Sequence, residues 1–308
     1  MKRRYNDFGA YMKSRFGRPV FKVSVDAGFT CPNRDGSLGT SGCIYCNNDS
    51  FRPVSCKPGL PVSEQVRRGI GIISKRYGTD TFLVYFQPYT NTYGSVDELE
   101  RVYREALANP SVIGLVIGTR PDAIDAQKIA LLQSLAEKYF ILVEYGMQSM
   151  YAKTLNFINR GHDYEAFLKA LALTENRGIS IGAHIIAGFP TETKEQMLSM
   201  ADEVSRLPIN FLKIHHLQVV KDTKLGVLYR ENPFHVFGYD EYLDFIVAFI
   251  ERLSPKIVIQ RLFATAPDHL LIAPRWKKNR QETLHDIEAG LLRKDAWQGK
   301  KQKTNVFA

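Results

Sequence analysis

Residues 21–46 read Phe21-Lys-Val-Ser-Val-Asp-Ala-Gly-Phe-Thr-Cys31-Pro-Asn-Arg-Asp-Gly-Ser-Leu-Gly-Thr-Ser-Gly-Cys43-Ile-Tyr-Cys46. The first five residues predict a β-strand, and the segment after it, punctuated by glycine and proline, predicts a loop. Three cysteines lie on this loop, where their thiolates can converge on one point. Three thiolates can hold three irons of a [4Fe–4S] cluster and leave the fourth iron open to a small molecule. The stretch therefore predicts one strand of a sheet with a metal or cluster site directly after it.

A structural zinc site is the main alternative for this loop, because Cys43-x-x-Cys46 is a common half-site. Structural zinc usually has four protein ligands, however, and the sequence contains no second Cys-x-x-Cys pair. The adjacent His215 and His216 are poorly spaced for a shared tetrahedral site. Spacing alone therefore leaves the cluster and the zinc site both open.

The composition is that of a globular protein with an ample core, with 44% hydrophobic and 24% charged residues. The length fits one large domain or two modest ones. The chain opens Met1-Lys-Arg-Arg-Tyr-Asn without an apolar stretch, so we expect neither a signal peptide nor a membrane segment. We therefore expect a cytoplasmic location, in which the four cysteines do not form disulfides.

The net charge of +9 is concentrated at the two ends of the chain. Residues 1–22 contain seven Lys or Arg against one acid, and residues 275–303 contain nine against four. The residues between them are close to neutral as a set. Basic surfaces beside a neutral body suit a polyanion such as RNA, although basic ends can also serve solubility alone.

Short apolar runs alternate with longer amphipathic segments between residues 20 and 216. The apolar runs are 21–25, 81–86, 112–117, 140–144, 180–186 and 211–215. The helix-like segments are 62–77, 96–108, 122–138, 164–176 and 192–206. Apolar strands that alternate with helices predict an α/β fold with a parallel sheet buried on both faces. Six such units are too few for a closed eight-stranded barrel, so we predict an open, partial (β/α)6 barrel of the TIM type.

The regular alternation of apolar runs and amphipathic segments ends after residue 217. Together with the basic N-terminal segment, this change predicts three parts of the chain. These are a basic N-terminal segment (1–20), the partial barrel (21–217) and a C-terminal α/β extension with a basic tail (218–308). In the extension we expect a helix near 239–253, a short strand near 256–260 and a final helix near 278–292. The extension is expected to close one side of the barrel.

Polar residues follow nearly every predicted strand of the barrel. They lie at 26–46, 87–92, 118–122, 144–149, 184–192 and 215–218. The carboxyl ends of parallel strands meet at one face of a barrel, and in such folds the active site lies at that face. These clusters therefore predict a single active-site face.

The ordered set of motifs resembles the radical S-adenosylmethionine (SAM) superfamily over nearly the whole chain. Besides the cysteine loop, the set consists of Tyr85-Phe-Gln-Pro-Tyr-Thr-Asn-Thr-Tyr93, Gly118-Thr-Arg-Pro-Asp122, Glu144-Tyr-Gly-Met-Gln-Ser149, Asn159-Arg-Gly-His162, His184-Ile-Ile-Ala-Gly-Phe-Pro190, Lys213-Ile-His-His216, Gln260-Arg261 and Leu271-Ile-Ala-Pro-Arg-Trp276. It is similar in particular to the YhcC/YtqA family, which is related to the Elongator subunit Elp3. The usual motif is Cys-x3-Cys-x2-Cys, whereas eleven residues separate Cys31 from Cys43 here. Long first spacings of this kind occur in the Elp3-related branch.

The resemblance implies a partial barrel of the radical SAM kind with a [4Fe–4S] cluster and SAM as cofactors. Cys31, Cys43 and Cys46 would ligate three irons, and SAM would chelate the fourth through its amino and carboxylate groups. Transfer of one electron to the sulfonium would then give a 5′-deoxyadenosyl radical that abstracts hydrogen from the substrate.

Further site residues are implied by their places in the motifs. Tyr45 matches aromatic residues that lie against the adenine, and Gln148 matches a position that hydrogen-bonds the ribose. Arg160 matches a cation that pairs with the SAM carboxylate. Gln87 and Thr90 lie where the family binds the methionine amino group, although the chain lacks the Gly-Gly-Glu form of that element. A packing role for Tyr45, a turn role for Gln148 and a surface ion pair for Arg160 stay open.

Glu144, His184 and His215 end predicted strands and are the candidate catalytic residues. Glu144 could instead be structural. His215 and His216 are neighbours in a strand and point to opposite sides, so one of them is expected to be structural. Cys56 lies ten residues after the third cysteine of the loop and is expected to be a buried or incidental thiol.

The resemblance also implies tRNA as the substrate, because the Elp3 branch works on wobble uridine. The YhcC/YtqA family is associated with conversion of a carboxymethylaminomethyl group at C5 of that uridine to an aminomethyl group. The alternatives are a radical SAM enzyme that acts on a small metabolite, and a zinc-stabilised RNA-binding protein without catalysis. The sequence has no cysteine set for a second cluster, so we expect an external flavodoxin or ferredoxin as reductant.

Overall fold

The computed structural model describes residues 3–50, 56 and 59–302. Lys2 and Lys303, which contribute to the basic ends, lie outside the described residues. The strands are β1 Phe21–Val25, β2 Phe82–Phe86, β3 Val112–Thr119, β4 Phe140–Gln148, β5 Ser180–Ala187, β6 Phe211–His216, β7 Val219–Val220, β8 Val258–Arg261 and β9 Leu271–Ala273. The α-helices are α1 Phe8–Phe16, α2 Val62–Tyr77, α3 Val96–Leu107, α4 Ala126–Ala136, α5 Ala152–Phe157, α6 Tyr164–Thr174, α7 Lys194–Val204, α8 Lys224–Glu231, α9 Tyr239–Arg252 and α10 Arg280–Arg293.

Seven strands form one parallel sheet in the order β1-β2-β3-β4-β5-β6-β8. The sheet curls into a half-barrel, which confirms the predicted fold class. The six strands from β1 to β6 lie side by side in chain order, and helices connect most of them. Strands β2 to β6 are almost entirely buried, as expected for a parallel sheet that is covered on both faces.

The short strand predicted near 256–260 joins the main sheet as β8. It pairs with β6, so that Phe211 lies opposite Val258 and Leu212 lies opposite Ile259. A register shift after Leu212 then brings Lys213 opposite Arg261. The half-barrel therefore has seven strands rather than the predicted six, and β8 adds a charged residue to its polar end. The remaining strands, β7 and β9, form a separate antiparallel pair.

A helix that the sequence analysis did not predict, α1, plugs the amino-terminal end of the half-barrel. Met12 is fully buried against apolar side chains from the strands. Phe8 and Tyr11 contact Phe211, the first residue of β6, edge to face at 5.6 and 5.3 Å between ring centroids. Aromatic contacts of this kind add to the free energy of apolar burial. The interior is therefore apolar at the amino-terminal ends of the strands, and the polar site lies toward their carboxyl ends.

The predicted helix over 122–138 is divided in two. A single 3-10 turn, Pro121–Ala123, is followed by α4. Asp125 caps α4, because its carboxylate accepts a hydrogen bond from the backbone N–H of Lys128. An aspartate in this position begins a helix and disfavours its continuation upstream. Helices α5 and α8 were also not predicted.

The described parts of the two basic ends lie side by side. The backbone N–H of Gln298 donates to the carbonyl of Arg4 at 2.9 Å, and the Arg4 guanidinium lies 3.1 Å from Asp295. Arg3 lies 3.2 Å from Glu288 on α10. The fold thus joins two cationic segments that are far apart in the sequence. Among the helices of the described chain, none combines the length and the apolar character needed to cross a bilayer.

Candidate functional site

A cavity of about 230 Å³ opens at the carboxyl ends of the strands. It is lined by all eleven side chains that the sequence analysis selected: Cys31, Cys43, Cys46, Tyr45, Gln87, Thr90, Glu144, Gln148, Arg160, His184 and His215. The parallel sheet brings them together, because they lie on or follow five different strands; Glu144 and His184, expected at strand ends, lie within β4 and β5, which are longer than predicted. The polar clusters predicted from the sequence therefore share one face of the half-barrel, as barrel folds require.

The cysteine loop after β1 is held by its own backbone. The carbonyl of Cys31 accepts from the backbone N–H of Arg34 at 2.7 Å, and the N–H of Cys46 donates to the carbonyl of Cys43 at 3.0 Å. The Arg34 guanidinium also donates to the carbonyl of Cys46 at 2.7 Å. Arg34 therefore links the backbone of Cys31 to that of Cys46 through two hydrogen bonds. These bonds form a compact loop whose three cysteines line the same cavity.

Cys43 is the most enclosed of the three cysteines. Arg160 donates from Nη1 to its Sγ at 3.5 Å, and Asn33 donates from Nδ2 at 3.8 Å. Burial, together with the neighbouring Cys43, raises the pKa of the Cys46 thiol. Within the described ranges, no three His, Cys, Asp or Glu side chains are grouped closely enough for a single metal ion. The three sulfurs therefore border a cavity and do not form a compact one-ion site.

Arg160 and Gln148 are oriented by the backbone at the end of β4. The carbonyl of Gly146 accepts a hydrogen bond from Nη2 of Arg160 at 2.8 Å. The pairing of β4 with β5 shifts between Gly146 and Gln148, and Gln148 has a φ of 66°, in the left-handed region. Such strain in a residue other than glycine is concentrated at functional sites. Arg120 supports this arrangement, since its Nη1 donates to the carbonyl of Arg160 at 2.8 Å.

Two polar atoms beside the cysteine loop have no hydrogen-bond partner among the described residues. They are Oγ1 of Thr90 and Nε of Arg160, and both are buried. Buried polar atoms are normally satisfied, so unsatisfied ones at a cavity wall indicate a polar ligand. A cluster held by three thiolates, with a polar cofactor beside it, fits this set of donors.

The floor of the cavity contains a fully buried carboxylate, Glu144, with three hydrogen-bonding partners. Its oxygens lie 2.5 Å from Nζ of Lys213, 3.3 Å from Nζ of Lys22 and 2.9 Å from Nε2 of His184. Burial alone would raise the pKa of Glu144, but the two ammonium groups and the hydrogen bond with His184 hold it well below its ordinary value. Glu144 is therefore an ionised carboxylate.

Four residues at or next to this floor are not among the predicted site residues: Lys213, Tyr85 and Arg261, which line the cavity, and Lys22, which contacts Glu144. Lys213 donates to the Tyr85 hydroxyl at 2.8 Å and is itself buried. Burial, together with the charges of Lys22 and Arg261, lowers the pKa of Lys213, although Glu144 opposes this effect. A signal was available in the sequence, because Lys22 and Lys213 interrupt strands that are otherwise apolar. A lysine in such a strand is rarely buried without a partner.

The three histidines of β5 and β6 have different surroundings. His184 and His215 stack at 5.9 Å between ring centroids. Burial and the charge of Lys213 lower the pKa of His184 to about 4, so its ring is neutral at neutral pH. His216 instead stacks on Trp276 at 3.9 Å and accepts at Nδ1 from the backbone N–H of Ala264. His216 therefore packs against the extension.

The surroundings of His216 predict a pH-dependent stability. Burial lowers its pKa from 6.5 to about 3. The unfolded chain therefore takes up this proton and the folded chain does not, so stability falls as the pH drops below about 6.5. At pH 5 the loss from this one residue is about 2 kcal/mol. His216→Phe keeps the stacking on Trp276 and removes the titration.

We therefore expect the drop in unfolding free energy between about pH 7.5 and pH 5 to be about 2 kcal/mol smaller in His216→Phe than in the wild type. Urea unfolding of the cluster-loaded protein under anaerobic conditions measures the difference. The same drop in both proteins would contradict a neutral, buried His216.

Two family models match the chain. The model of the radical SAM superfamily matches residues 31–204, and that of the radical SAM C-terminal domain matches residues 209–293. The chain therefore belongs to the radical SAM superfamily. It is an enzyme of this class, with a [4Fe–4S] cluster and SAM as its cofactors. The alternative of a zinc-stabilised protein without catalysis is wrong.

Relatives of similar length place the chain more narrowly within the superfamily. It is 34% identical to the uncharacterized protein MJ0486 of Methanocaldococcus jannaschii, covering 96% of this chain and 91% of that one. It is 30% identical to YtqA of Bacillus subtilis (97% and 92%) and 30% identical to YhcC of Escherichia coli (92% and 91%). These identities support the resemblance to the YhcC/YtqA family.

The Elp3 relationship is visible in both sequence and structure. A tRNA uridine(34) acetyltransferase of Methanocaldococcus infernus is 26% identical over 167 residues, which are 53% of this chain and 30% of that protein. The solved structure of the archaeal Elp3 from the same organism, with an N-terminal deletion, superposes with a TM-score of 0.68. That match has 18% identity and covers 91% of this chain and 64% of the Elp3 chain, so it shows a shared fold.

Proposed function

We propose that this radical SAM enzyme modifies the wobble uridine of tRNA, converting a carboxymethylaminomethyl group at C5 to an aminomethyl group. The observation that carries the proposal is the relationship to a tRNA uridine(34) acetyltransferase, which spans 53% of this chain. A carboxymethyl group on an amine suits hydrogen abstraction, because a radical on the carbon next to nitrogen is stabilised. Loss of one electron from this radical would give an imine, and its hydrolysis by water would release the group as glyoxylate and leave the amine. One SAM, cleaved to methionine and 5′-deoxyadenosine, would balance this two-electron oxidation. The enzyme class and this substrate are therefore chemically compatible.

The cysteine loop is proposed to hold the cluster through Cys31, Cys43 and Cys46. When bound, the cluster supplies the electron that splits SAM into methionine and a hydrogen-abstracting 5′-deoxyadenosyl radical. Asn33 and Arg160 donate hydrogen bonds to Cys43. Such donors stabilise the reduced, more negative state of a cluster. An external flavodoxin or ferredoxin is proposed as the reductant.

The residues between the loop and the floor are proposed to bind SAM. Arg160 offers its unpartnered Nε to the SAM carboxylate, and Thr90 offers its buried hydroxyl to the amino group together with Gln87. Gln148 is proposed to bind the ribose and Tyr45 to cover the adenine. Glu144, His184 and His215, below them, are proposed to face the substrate. SAM held by these residues would lie in the same cavity as the cysteine loop and Glu144.

An exposed basic segment supports a polynucleotide substrate. Arg275, Lys277 and Lys278 are exposed on both sides of Trp276. Trp276 stacks on His216, whose ring reaches the cavity wall. Cations close to a cavity attract the phosphates of a nucleic acid, while the cavity accepts one extruded base.

Gly146→Ala is expected to weaken SAM binding by about tenfold or more, since a charge-assisted hydrogen bond is lost. A β-carbon at this position would lie 2.6 Å from Nη2 of Arg160 and 2.7 Å from Nε2 of Gln148. Both side chains would have to move away from the ligand. Gly71→Ala is the matched control, because a β-carbon there meets no described atom within 4 Å. Equilibrium binding of SAM to the cluster-loaded protein measures the effect, and equal affinities in the two variants would contradict these roles.

The nucleosides of tRNA from a deletion strain test the proposed substrate. Without the enzyme, wobble uridine should accumulate in the carboxymethylaminomethyl form, and a plasmid copy of the gene should restore the aminomethyl-derived nucleosides. Unchanged wobble nucleosides would contradict the proposal and would favour a small metabolite as the substrate.

A further inference from the structure

The floor of the cavity carries more positive charge than its own acid can neutralise. Glu144 is the one carboxylate among the described residues that contact Lys22 and Lys213 there, and its oxygens are already shared with both lysines and with His184. Arg261 lies opposite Lys213 in the strand pairing and lines the same cavity. Three basic side chains, Lys22, Lys213 and Arg261, therefore lie near one acidic side chain, Glu144.

Arg261 is left without a counter-ion. Its guanidinium forms no hydrogen bond or ion pair with any residue in the described part of the chain. Nε2 of His215, which lines the same cavity, is likewise buried without a partner among the described residues. Arg261 is partly exposed, and a guanidinium without a counter-ion at a cavity wall is suited to bind an anion. Burial lowers the pKa of Arg261, and Arg280 acts in the same direction, whereas Tyr85 and Glu144 oppose this effect.

The surroundings favour a small carboxylate as the missing partner. A guanidinium accepts a carboxylate through two parallel hydrogen bonds. The apolar side chains of α1, among them Met12 and Phe8, pack against the strands, and the cavity that contains Glu144 and Arg261 opens at the carboxyl ends of the strands. Arg261 also borders a second cavity beside Phe8, with Asp7 and Arg280 in its wall. Arg160, beside the cysteine loop, is the residue proposed for the carboxylate of SAM.

We infer that Arg261, flanked by His215, binds a carboxylate carried by the substrate itself. The inference rests on the proposed function, in which the group to be removed ends in a carboxylate. It goes further by assigning a recognition residue and a chemical requirement: a substrate that lacks this carboxylate is bound less well. The aminomethyl product has lost the carboxylate, so the enzyme is expected to bind the product less tightly than the substrate.

The test compares two anticodon stem-loop RNAs that carry either carboxymethylaminomethyluridine or aminomethyluridine at the wobble position. Their dissociation constants are measured by fluorescence anisotropy on the cluster-loaded protein with SAM and without reductant. The wild type should prefer the carboxylate-bearing RNA by about tenfold or more. Arg261→Gln should lose most of this preference while its affinity for the aminomethyl RNA is unchanged, and Arg261→Lys should keep part of it.

Arg293→Gln is the matched control, since it removes the same charge from an exposed position at the end of α10. It should retain the full preference. The inference is overturned if the wild type shows no preference, or if Arg261→Gln keeps it. It is also overturned if Arg261→Gln weakens SAM binding, because Arg261 would then serve the carboxylate of the cofactor.

A second probe separates this inference from the tRNA proposal. If neither modified RNA binds more tightly than an unmodified stem-loop, the tRNA proposal fails, and the proteins are titrated with N-methylglycine and with its neutral amide. Binding of N-methylglycine alone, lost in Arg261→Gln, would support the carboxylate site for a smaller substrate. An absence of binding to the wild type would overturn it.

Discussion

Cys43→Ala is expected to abolish the formation of 5′-deoxyadenosine from SAM. Cys43 is the buried one of the three loop cysteines and receives hydrogen bonds from Asn33 and Arg160. Loss of one of three thiolates removes an iron ligand that no other described cysteine of the loop can replace. We expect the iron and sulfide content after anaerobic reconstitution to fall to background, and turnover with it.

Cys56→Ala is the control for this result. Cys56 is buried, but it is absent from the cavity that the three loop cysteines line. Its removal should change stability by about 1 kcal/mol and leave iron content and 5′-deoxyadenosine formation intact. A normal cluster in Cys43→Ala, or its loss in Cys56→Ala, would show that the ligand assignment is wrong.

Glu144→Gln is expected to destabilise the protein by about 3–5 kcal/mol, because it leaves buried ammonium groups without a counter-charge. The Glu144 side chain is fully buried, 2.5 Å from Lys213. Glu100→Gln is the matched control, since Glu100 pairs with Arg104 at 2.7 Å on the surface of α3. An exposed pair of this kind contributes less than about 1 kcal/mol. Urea unfolding compares the two variants.

A second substitution tests the cause of this loss. In the double variant Glu144→Gln/Lys213→Met, the lysine that Glu144 contacts most closely is also removed. The double variant should be more stable than Glu144→Gln alone, because removing both members of a buried pair is less harmful than removing one. Equal effects of Glu144→Gln and Glu100→Gln would show that the floor is not a closely coupled charge cluster.

The alternation of apolar and amphipathic segments was sufficient to predict the sheet. The run 112–117, for example, is apolar on both faces and has a length that is typical of a buried parallel strand. Helix α1 was missed because residues 1–20 were interpreted by charge. Phe8 and Met12 lie on one helical face, but only the three-dimensional fold shows that the open end of a half-barrel needs a plug there. Local periodicity does not carry that information.

The residues near the cysteine loop were predicted from the sequence, whereas the charged partners of Glu144 at the floor of the cavity were not. The loop cysteines and Arg160 belong to motifs that imply a role for them. Lys22 lies in no quoted motif, and the motif that contains Lys213 implied no role for the lysine. Their importance arises from pairing, because Glu144 meets them only when β1, β4 and β6 curl around a common interior. Arg261 is harder still to predict, since it reaches the site through a register shift between β6 and β8. Register of this kind depends on tertiary packing.

The most direct test of the proposed chemistry is a single anaerobic reaction. The reconstituted enzyme is incubated with SAM, dithionite and tRNA from the deletion strain, and nucleosides and 5′-deoxyadenosine are measured together. We expect 5′-deoxyadenosine to form while carboxymethylaminomethyluridine disappears and aminomethyluridine increases, with Cys56→Ala active and Cys43→Ala inactive. Formation of 5′-deoxyadenosine without any change in the wobble nucleosides would contradict the proposed substrate, and a protein that binds zinc without iron or sulfide would contradict the cluster itself.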